Sequence, residues 1–350
     1  MSRKIHHCIP FLSRLYTQRN VAREERDIAL AERGQALREL GNAQQLTQQA
    51  VHDSDEAQRH LNEVRIDRNE KGSSSHKLYV PLGHYFSPIV NVAEAEQYFK
   101  HLNIKDIENI PGIDVNKNDM IAVWNELLPF LTTNPFPDQP GMGFRYAFEN
   151  GSYSWGDGSI LHAMIRKHRP KRYIEIGSGW SSVCAVDTIE RYSTVCQITF
   201  IEPYPDLLNG LLGKTKLSVD VAETSVQKVP VSLFDTLEQN DILFIDSTHV
   251  LRTGSDVCFE LFEIMPRLKP GVLVHFHDIF WPFEYPAAWV IDDNRSWNEL
   301  YAVRAFLTNN GQWEILFFNN YFAQMEKELI ENTYPTFLKN SGGALWLRRR

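Results

Sequence analysis

The sequence YIEIGSGWSS, residues 173–182, joins an apolar strand to a glycine-rich turn and then to a segment suited to a helix. Gly177 and Gly179 permit a sharp turn and leave the backbone open to a ligand that side chains would otherwise block. The next apolar strand, residues 198–201, ends in Glu202, where a carboxylate can accept hydrogen bonds from both hydroxyls of a ribose. A dinucleotide fingerprint needs more glycines than this turn contains. The pattern therefore favours a nucleoside ligand without a pyrophosphate.

Apolar segments typical of strands alternate with helical patterns from Lys171 onward. Strands are predicted at 172–176, 197–201, 215–219, 241–245, 271–276, 313–318 and 343–348. Earlier helices are predicted at 93–101, 119–131 and 158–168, the last capped by Asp157. The alternation predicts an α/β fold with a Rossmann-like, doubly wound, mostly parallel seven-stranded sheet. Ligands bind such sheets beyond the carboxyl ends of the strands, near the switch in strand order.

The length and composition suit one large globular core with an appendage. The chain has 350 residues, of which 43% are hydrophobic, and a net charge of -8, which argues against nucleic acid as a general partner. Its cysteines are scattered without metal-ligand spacing, as in a reducing compartment, so a cytoplasmic protein is expected. No apolar run reaches about 18 residues, so no transmembrane segment is expected.

The first 71 residues are expected to form an N-terminal extension. Alanine recurs at positions 22, 29, 36, 43, 50 and 57, and a period of this kind keeps one face in register along a supercoil. The repeat predicts a long, coiled-coil-like helix, although the rest of its seam is mostly polar. It either forms a homo-oligomer or binds a protein partner, or it is a solvated, frayed helix. Residues 72–144 are expected to be a hinge and helical lead-in, and residues 145–350 the main domain.

Acidic and imidazole side chains follow the fourth and fifth predicted strands. The fourth ends in Asp246, with His249 shortly after it, and the fifth ends in His277 and Asp278. These strands are neighbours in a doubly wound sheet, so Asp246, His277 and Asp278 are predicted to converge on a divalent metal. Carboxylates favour Mg²⁺, and an imidazole shifts the preference towards Mn, Fe or Zn. His249 is the predicted general base, because an imidazole ordinarily titrates close to neutrality.

Residues 145–350 resemble the bacterial class I O-methyltransferases, which include the macrolide sugar O-methyltransferases. The matching motifs are IEIGSGWSS, FIEPYP, DILFIDSTHV, LKPGVLVHFHDIFWPFEYP and GGALWLRRR. The resemblance implies a domain that uses S-adenosylmethionine (SAM), with Mg²⁺ held by Asp246 and the pair His277 and Asp278, and with His249 as base. His277 stands where that family has an acidic residue, so the presence and identity of the metal stay open.

The resemblance also assigns contacts to SAM. From the methionine part through the ribose to the adenine edge, the expected residues are Glu175, Gly177, Ser178, Gly179, Glu202, Val226 and Gln227. Tyr153, Trp155 and Asp157 precede the first strand, and the aromatic segment 280–286 follows the fifth. Both groups are interpreted in two ways, as covers over the ligands or as ordinary packing.

The predicted reaction is methyl transfer from SAM to a hydroxyl. The acceptor is a small molecule or a glycan, and family analogy favours a sugar hydroxyl on a glycan or glycosylated metabolite. The hydroxyl would lie near Asp246 and Asp278, lose its proton to His249 and attack the methyl group in line. Two alternatives stay open. One is an Fe²⁺ oxygenase built on His277 and the two aspartates, and the other is a scaffold protein with a degenerate SAM site.

Overall fold

The computed structural model describes residues 78–104, 107–141, 143–192 and 195–350. Nearly all of these residues belong to the unit Val80–Arg350. The predicted N-terminal helix, within residues 1–71, lies outside the described residues. In the described part of the chain, no helix combines the length and the apolar character that crossing a bilayer requires.

A mixed sheet forms the centre of the unit and confirms the predicted α/β fold. Within the described residues it has seven strands, in the order β3-β2-β1-β4-β5-β7-β6. Their bounds are β1 Arg172–Ile176, β2 Gln197–Ile201, β3 Val219–Ala222, β4 Ile242–Ile245, β5 Leu273–Phe276, β6 Trp313–Phe318 and β7 Leu345–Arg349. The first five strands are parallel, and β7 runs antiparallel to both β5 and β6. The strand order reverses between β1 and β4, where a ligand site is expected.

Helices cover the sheet and supply the lead-in. In chain order they are α1 Val92–His101, α2 Lys117–Leu131, α3 Trp155–His168, α4 Trp180–Tyr192, α5 Asp206–Leu212, α6 Asp256–Phe259, α7 Ala287–Ile291, α8 Glu299–Leu307, α9 Asn319–Met325 and α10 Lys327–Thr333. Asn91 and Asn116 are the N-cap residues of α1 and α2. Each side chain accepts hydrogen bonds from two backbone N–H groups of the first turn.

The central strands are buried on both faces, as parallel strands between helices must be. All residues of β4 and β5 are buried. His275 belongs to this core, as its alternation within the strand suggested. Its ring stacks on Phe244 at a centroid distance of 4.0 Å, and burial lowers the pKa of His275 well below its ordinary value. The ring is therefore a neutral packing element.

The third strand begins later than the sequence predicted, at Val219 instead of residue 215. Side chains hold the backbone just before it. The carboxylate of Glu190 accepts a hydrogen bond from the N–H of Lys216 at 2.8 Å, and the hydroxyl of Thr215 accepts one from the N–H of Leu217 at 3.1 Å. Those N–H groups are unavailable to the neighbouring strand β2, so pairing starts only beyond them.

Helix α3 starts before Asp157, so the prediction that Asp157 caps this helix is wrong. Ser154 is the N-cap residue, and its carbonyl accepts a hydrogen bond from the N–H of Gly158 at 2.8 Å. The N–H of Gly156 donates to the carbonyl of Asn340 at 2.8 Å, so the β6–β7 connection also holds this first turn. Asp157 lies inside the turn, almost fully buried.

Candidate active site

The ends of four parallel strands meet at one cavity of about 610 Å³. The lining residues at the tips of β1, β2, β4 and β5 are Gly177, Ser178, Gly179, Glu202, Asp246, His277 and Asp278. The predicted cofactor loop, ribose carboxylate and strand-end acids therefore come together at the reversal of strand order. Three residues of the β6–β7 connection, Asn340, Gly342 and Gly343, form another part of the wall.

Gly177 has a backbone conformation and a position that only glycine fits. Its φ is +77°, and a Cβ built on it would lie 1.7 Å from the carbonyl oxygen of Asp246. The N–H of Asp246 donates to the carbonyl of Ile176 at 2.9 Å. The glycine turn after β1 and the acid after β4 are consequently in direct backbone contact.

Glu175 lies beneath the glycine turn and does not line the cavity, so its predicted contact with SAM stays a prediction. It is fully buried, and its carboxylate accepts hydrogen bonds from the hydroxyls of Tyr173, Ser181 and Ser182 at 2.8, 2.6 and 2.8 Å. Burial raises the pKa of Glu175 to about 8, although the three hydroxyls oppose the rise. Glu175 therefore ties β1 to the start of α4 and supports the loop from below.

Glu202 is held at the cavity by two backbone groups. One oxygen accepts a hydrogen bond from the N–H of Ser178 at 3.0 Å, and the other accepts one from the N–H of Tyr204 at 2.9 Å. Each carboxylate oxygen has a further lone pair. The fixed side chain can therefore still accept hydrogen bonds from two ligand hydroxyls, and its contact with the ribose stays a prediction.

Val226 and Gln227 form a short 3₁₀ turn, Val226–Lys228, and are not among the cavity-lining residues. Val226 is buried. The amide of Gln227 donates to the carbonyl of Gly254 at 3.0 Å, so it links two loops. The predicted role of both residues at the adenine edge stays a prediction, because the structure does not bring their side chains to the cavity.

His249 stands behind the cavity, between the two aspartates. Its Nε2 lies 3.4 Å from Oδ1 of Asp246 and 3.5 Å from Oδ2 of Asp278. It is almost fully buried and does not line the cavity, whereas both aspartates do. Backbone geometry marks the same residues, since His249 and Asp278 have φ values of +60° and +56°. Such left-handed residues are concentrated at functional sites, where the surrounding structure maintains the strain.

Glu299 completes this cluster, and no motif in the sequence indicated it. Its Oε2 lies 2.7 Å from Nδ1 of His249, and the carboxylate is almost fully buried. The N–H of Glu299 also donates to the carbonyl of His249 at 3.1 Å. Burial opposes the charged imidazole, but Asp246 and Glu299 outweigh it and raise the pKa of His249 well above its ordinary value. The two carboxylates therefore favour the protonated form of His249.

Neighbouring charges shift the pKa values of the two aspartates that line the cavity. Burial opposes ionisation of Asp246, but His277 and His249 outweigh it and lower the pKa of Asp246 to about 2. Burial raises the pKa of Asp278, and Asp246 adds to that rise. The pKa values of these two acids, which lie at neighbouring strand ends, are therefore shifted in opposite directions. This pattern is common where one group stabilises charge and another exchanges a proton.

The predicted metal ligands do not fit a divalent cation in this arrangement. Among the residues that the structure describes, no group of three His, Cys, Asp or Glu side chains is placed to hold a metal ion. The ring of His249 lies between the carboxylates of Asp246 and Asp278 instead, and His277 Nε2 lies 3.4 Å from Asp278 Oδ1. Among the described residues, this arrangement therefore offers no three-ligand site to the Fe²⁺ oxygenase alternative either.

Asp157 is a further buried acid of the cavity. The amide of Asn319 donates to its Oδ1 at 3.1 Å, and backbone N–H groups of Gly343 and Ala344 also bond to it. Burial raises the pKa of Asp157 to about 7, a rise that His277 opposes. Trp155, two residues earlier, points elsewhere and donates its indole N–H to Asp138 at 2.8 Å.

Several buried polar atoms of cavity-lining residues lack partners. The hydroxyl oxygens of Tyr153 and Ser178 and Nδ1 of His277 have no hydrogen-bond partner among the described residues. Buried polar groups are nearly always paired in native proteins. Three such exceptions lie in residues around this one cavity.

The aromatic segment after β5 divides its side chains between cavity and core. Phe280 and Pro286 line the cavity. Trp281, Phe283 and Tyr285 are each at most 2% exposed, so they anchor the segment in the core. The packing interpretation therefore holds for these three residues, and a cover over the ligands stays a prediction for Phe280 and Pro286.

Comparison with known proteins agrees with this site. Residues 174–279, which include every strand tip at the cavity, match a family model described as a methyltransferase domain. The chain therefore contains a methyltransferase domain. Over 172 residues, 47% of its length, this methyltransferase is 32% identical to an uncharacterized protein of Archaeoglobus fulgidus, of which 76% is covered.

Solved structures with a similar architecture include two methyltransferases bound to S-adenosylhomocysteine (SAH). PaMTH1 of Podospora anserina is 15% identical, with a TM-score of 0.36 over 78% of this methyltransferase and 99% of that chain. The O-methyltransferase of Bacillus cereus is 14% identical, with a TM-score of 0.36 over 65% and 91% of the two chains. Similarity of this size adds nothing to what the sheet order already shows.

Proposed function

We propose that the protein transfers the methyl group of SAM to a hydroxyl oxygen of a small-molecule acceptor. The observation that carries the proposal is the convergence of the glycine turn, Glu202, Asp246 and Asp278 on one cavity. When bound, SAM supplies a methyl group on a sulfonium. The glycine turn and Glu202 would hold its amino-acid part and ribose, while the acids after β4 and β5 would receive the acceptor hydroxyl.

Asp278, and not His249, is the proposed proton acceptor. Asp278 lines the cavity, whereas His249 lies behind it with both ring nitrogens directed at carboxylates. A general base must come within hydrogen-bond reach of the proton that it removes. His249 would act as a positioning residue that keeps Asp246 ionised and holds Asp278 in place.

The proposed acceptor is a sugar or aromatic compound that carries a hydroxyl. Phe280 and Trp289 line the cavity on the side of the acids, and aromatic planes of this kind stack on flat apolar faces. The carboxylates of Asp246 and Asp278 can accept hydrogen bonds from hydroxyl groups of either compound class.

The proposal is tested with SAM and acceptors that differ only in carrying a hydroxyl, an amino or a thiol group on the same ring. SAH release and product mass are the readouts. Hydroxyl methylation is expected, with a loss of about 100-fold or more in kcat for Asp278→Asn and no loss for Asp220→Asn, a change at an exposed acid of β3. Methylation of the amine alone would contradict oxygen transfer. Tight SAM binding without turnover of any acceptor would favour the scaffold alternative.

A further inference from the structure

The guanidinium of Arg295 lies against two indole rings at the cavity. Its Cζ lies 4.4 Å from the ring centroid of Trp289 and 4.8 Å from that of Trp297, and its backbone N–H donates to the carbonyl of Trp289 at 2.9 Å. Asp293 pairs with Nη2 at 2.8 Å. Stacking on two indoles fixes the plane of the guanidinium without neutralising it.

The position of Arg295 assigns it to the acceptor side. The nucleoside side of the cavity is marked by Glu202 and Leu207, after β2, whereas Arg295 and Trp289 come from the connection after β5. Among the described residues that line this cavity, Arg295 is the single arginine or lysine. Besides Tyr153, the other ionisable lining residues are Asp157, Glu202, Asp246, His277 and Asp278.

Much of the hydrogen-bonding capacity of Arg295 is unused within the described residues. A guanidinium has five N–H donors in a planar fork. Asp293 engages Nη2, and no described residue accepts a hydrogen bond from Nε or Nη1. The side chain is 35% exposed, so the remaining donors are accessible to a ligand.

We infer that Arg295 binds a carboxylate of the methyl acceptor, next to the aromatic wall of Trp289. The inference rests on the proposed function and narrows its substrate class to hydroxylated acids. A planar guanidinium matches a carboxylate through two parallel hydrogen bonds, which gives orientation as well as affinity. In a cavity lined by so many acids, an anionic acceptor would be repelled unless this one guanidinium received its charge. Arg295 thereby selects which hydroxyl compounds enter and turns their reactive end towards Asp278.

Two matched pairs of probes test this selection and separate the two sources of a carboxylate. The aromatic pair is 3,4-dihydroxybenzoate and catechol, and the sugar pair is glucuronate and glucose. Dissociation constants are measured by calorimetry on the SAH-saturated protein and again without SAH. At least one carboxylate probe is expected to bind about 10-fold or more tightly than its uncharged partner, the gain of a charge-assisted hydrogen bond. The pair that shows the preference identifies the acceptor as aromatic or sugar-like.

Variants then assign the preference to Arg295. Arg295→Gln should weaken the preferred carboxylate probe by about 10- to 100-fold and leave its uncharged partner and SAM unchanged. Arg295→Lys should recover part of the loss, because it keeps the charge and loses the fork. Asp293→Asn is the matched control, since it removes the ion pair of this loop but keeps the guanidinium, and it should retain the preference.

Three results would overturn the inference. Equal or undetectable binding of both members of each pair to the wild type would show that no carboxylate is selected. Weaker SAM binding in Arg295→Gln would assign the guanidinium to the carboxylate of SAM, and equal weakening of charged and uncharged probes would assign it to loop packing. The measurements without SAH test carboxylate binding by Arg295 independently of the proposed methyltransferase function. If SAH did not bind, the proposed function would be contradicted. The dissociation constants of the probes would still show whether Arg295 binds their carboxylate.

Discussion

The carbonyl oxygen of Asp246 occupies the space that a side chain at Gly177 would need, 1.7 Å from a built Cβ. The turn that would hold SAM and the acid that would receive the acceptor are therefore packed as one unit. A change at Gly177 must disturb both functions together.

Gly177→Ala is expected to destabilise the protein and to abolish tight SAM binding. The new methyl group would clash with backbone, which cannot move as a flexible side chain does, and the φ of +77° is unfavourable for alanine. Overpacking of this kind costs about 1–3 kcal/mol. Urea unfolding and SAM calorimetry check the result. Gly210→Ala in α5 is the control, since no atom lies within 4 Å of its built Cβ, and it should lose no stability.

Glu175→Gln is expected to flatten the dependence of stability on pH. The pKa of Glu175 in the folded protein is about 8, above its ordinary value of 4.5. The folded state thus holds this proton more tightly than the unfolded state does, and stability falls as the pH rises from the lower value to the higher. Glutamine stays neutral throughout, so the variant should gain on the wild type as the pH approaches 8, measured by urea unfolding across that range.

Glu175→Ala separates the charge from the hydrogen bonds. Alanine leaves the hydroxyls of Tyr173, Ser181 and Ser182 without their shared acceptor, which should cost about 1–3 kcal/mol at every pH. If Glu175→Gln were as unstable as Glu175→Ala, or kept the pH dependence of the wild type, the assignment of a neutral buried acid would be wrong.

His249→Gln should remove a stabilisation that the wild type has at acidic and neutral pH. The pKa of His249 is raised in the folded protein, so its contribution is complete below the ordinary value of about 6.5 and is lost as the pH rises through the folded value. Compared with the wild type, the variant should show a smaller fall in unfolding free energy on the alkaline side.

Kinetics of the same variant distinguish a positioning residue from a base. His249→Gln should lower kcat and leave SAM affinity nearly unchanged, and Glu299→Gln should act in the same direction because Glu299 holds the imidazolium at 2.7 Å. If His249 were the base, Glu299→Gln would shift the pH profile of kcat while His249→Gln abolished the acidic limb. An unchanged acidic limb in His249→Gln agrees with Asp278 as the proton acceptor.

The sequence was sufficient for the sheet and for most of the cavity, because strand-end residues report their position through the strand that precedes them. It failed where side chains accept hydrogen bonds from backbone N–H groups that the sheet would otherwise use, as Glu190 and Thr215 do before β3. It could not place Glu175, since a glutamate before a glycine turn has the same pattern whether it lies above or below the turn. Here three hydroxyls decide the matter, and they become neighbours only in the folded chain.

Sequence patterns did not reveal which residues pair with one another at the site. Glu299 lies 50 positions from His249 and opens an ordinary amphipathic helix. Arg295 and Trp289 flank an irregular loop whose path depends on the anchoring of the preceding aromatic segment. Such pairs are fixed by tertiary packing, which no local periodicity records.

The most direct test of the central claim is the affinity for SAM of wild type, Glu202→Ala and Glu223→Ala, measured by calorimetry. Glu223 is an exposed carboxylate just beyond β3 and serves as the matched control. The wild type and Glu223→Ala should bind SAM equally, whereas Glu202→Ala should bind about 10- to 100-fold more weakly, because a charged acceptor of the ribose hydroxyls is lost. Equal affinity of all three proteins, or no binding by the wild type, would contradict the placement of SAM at the ends of β1 and β2.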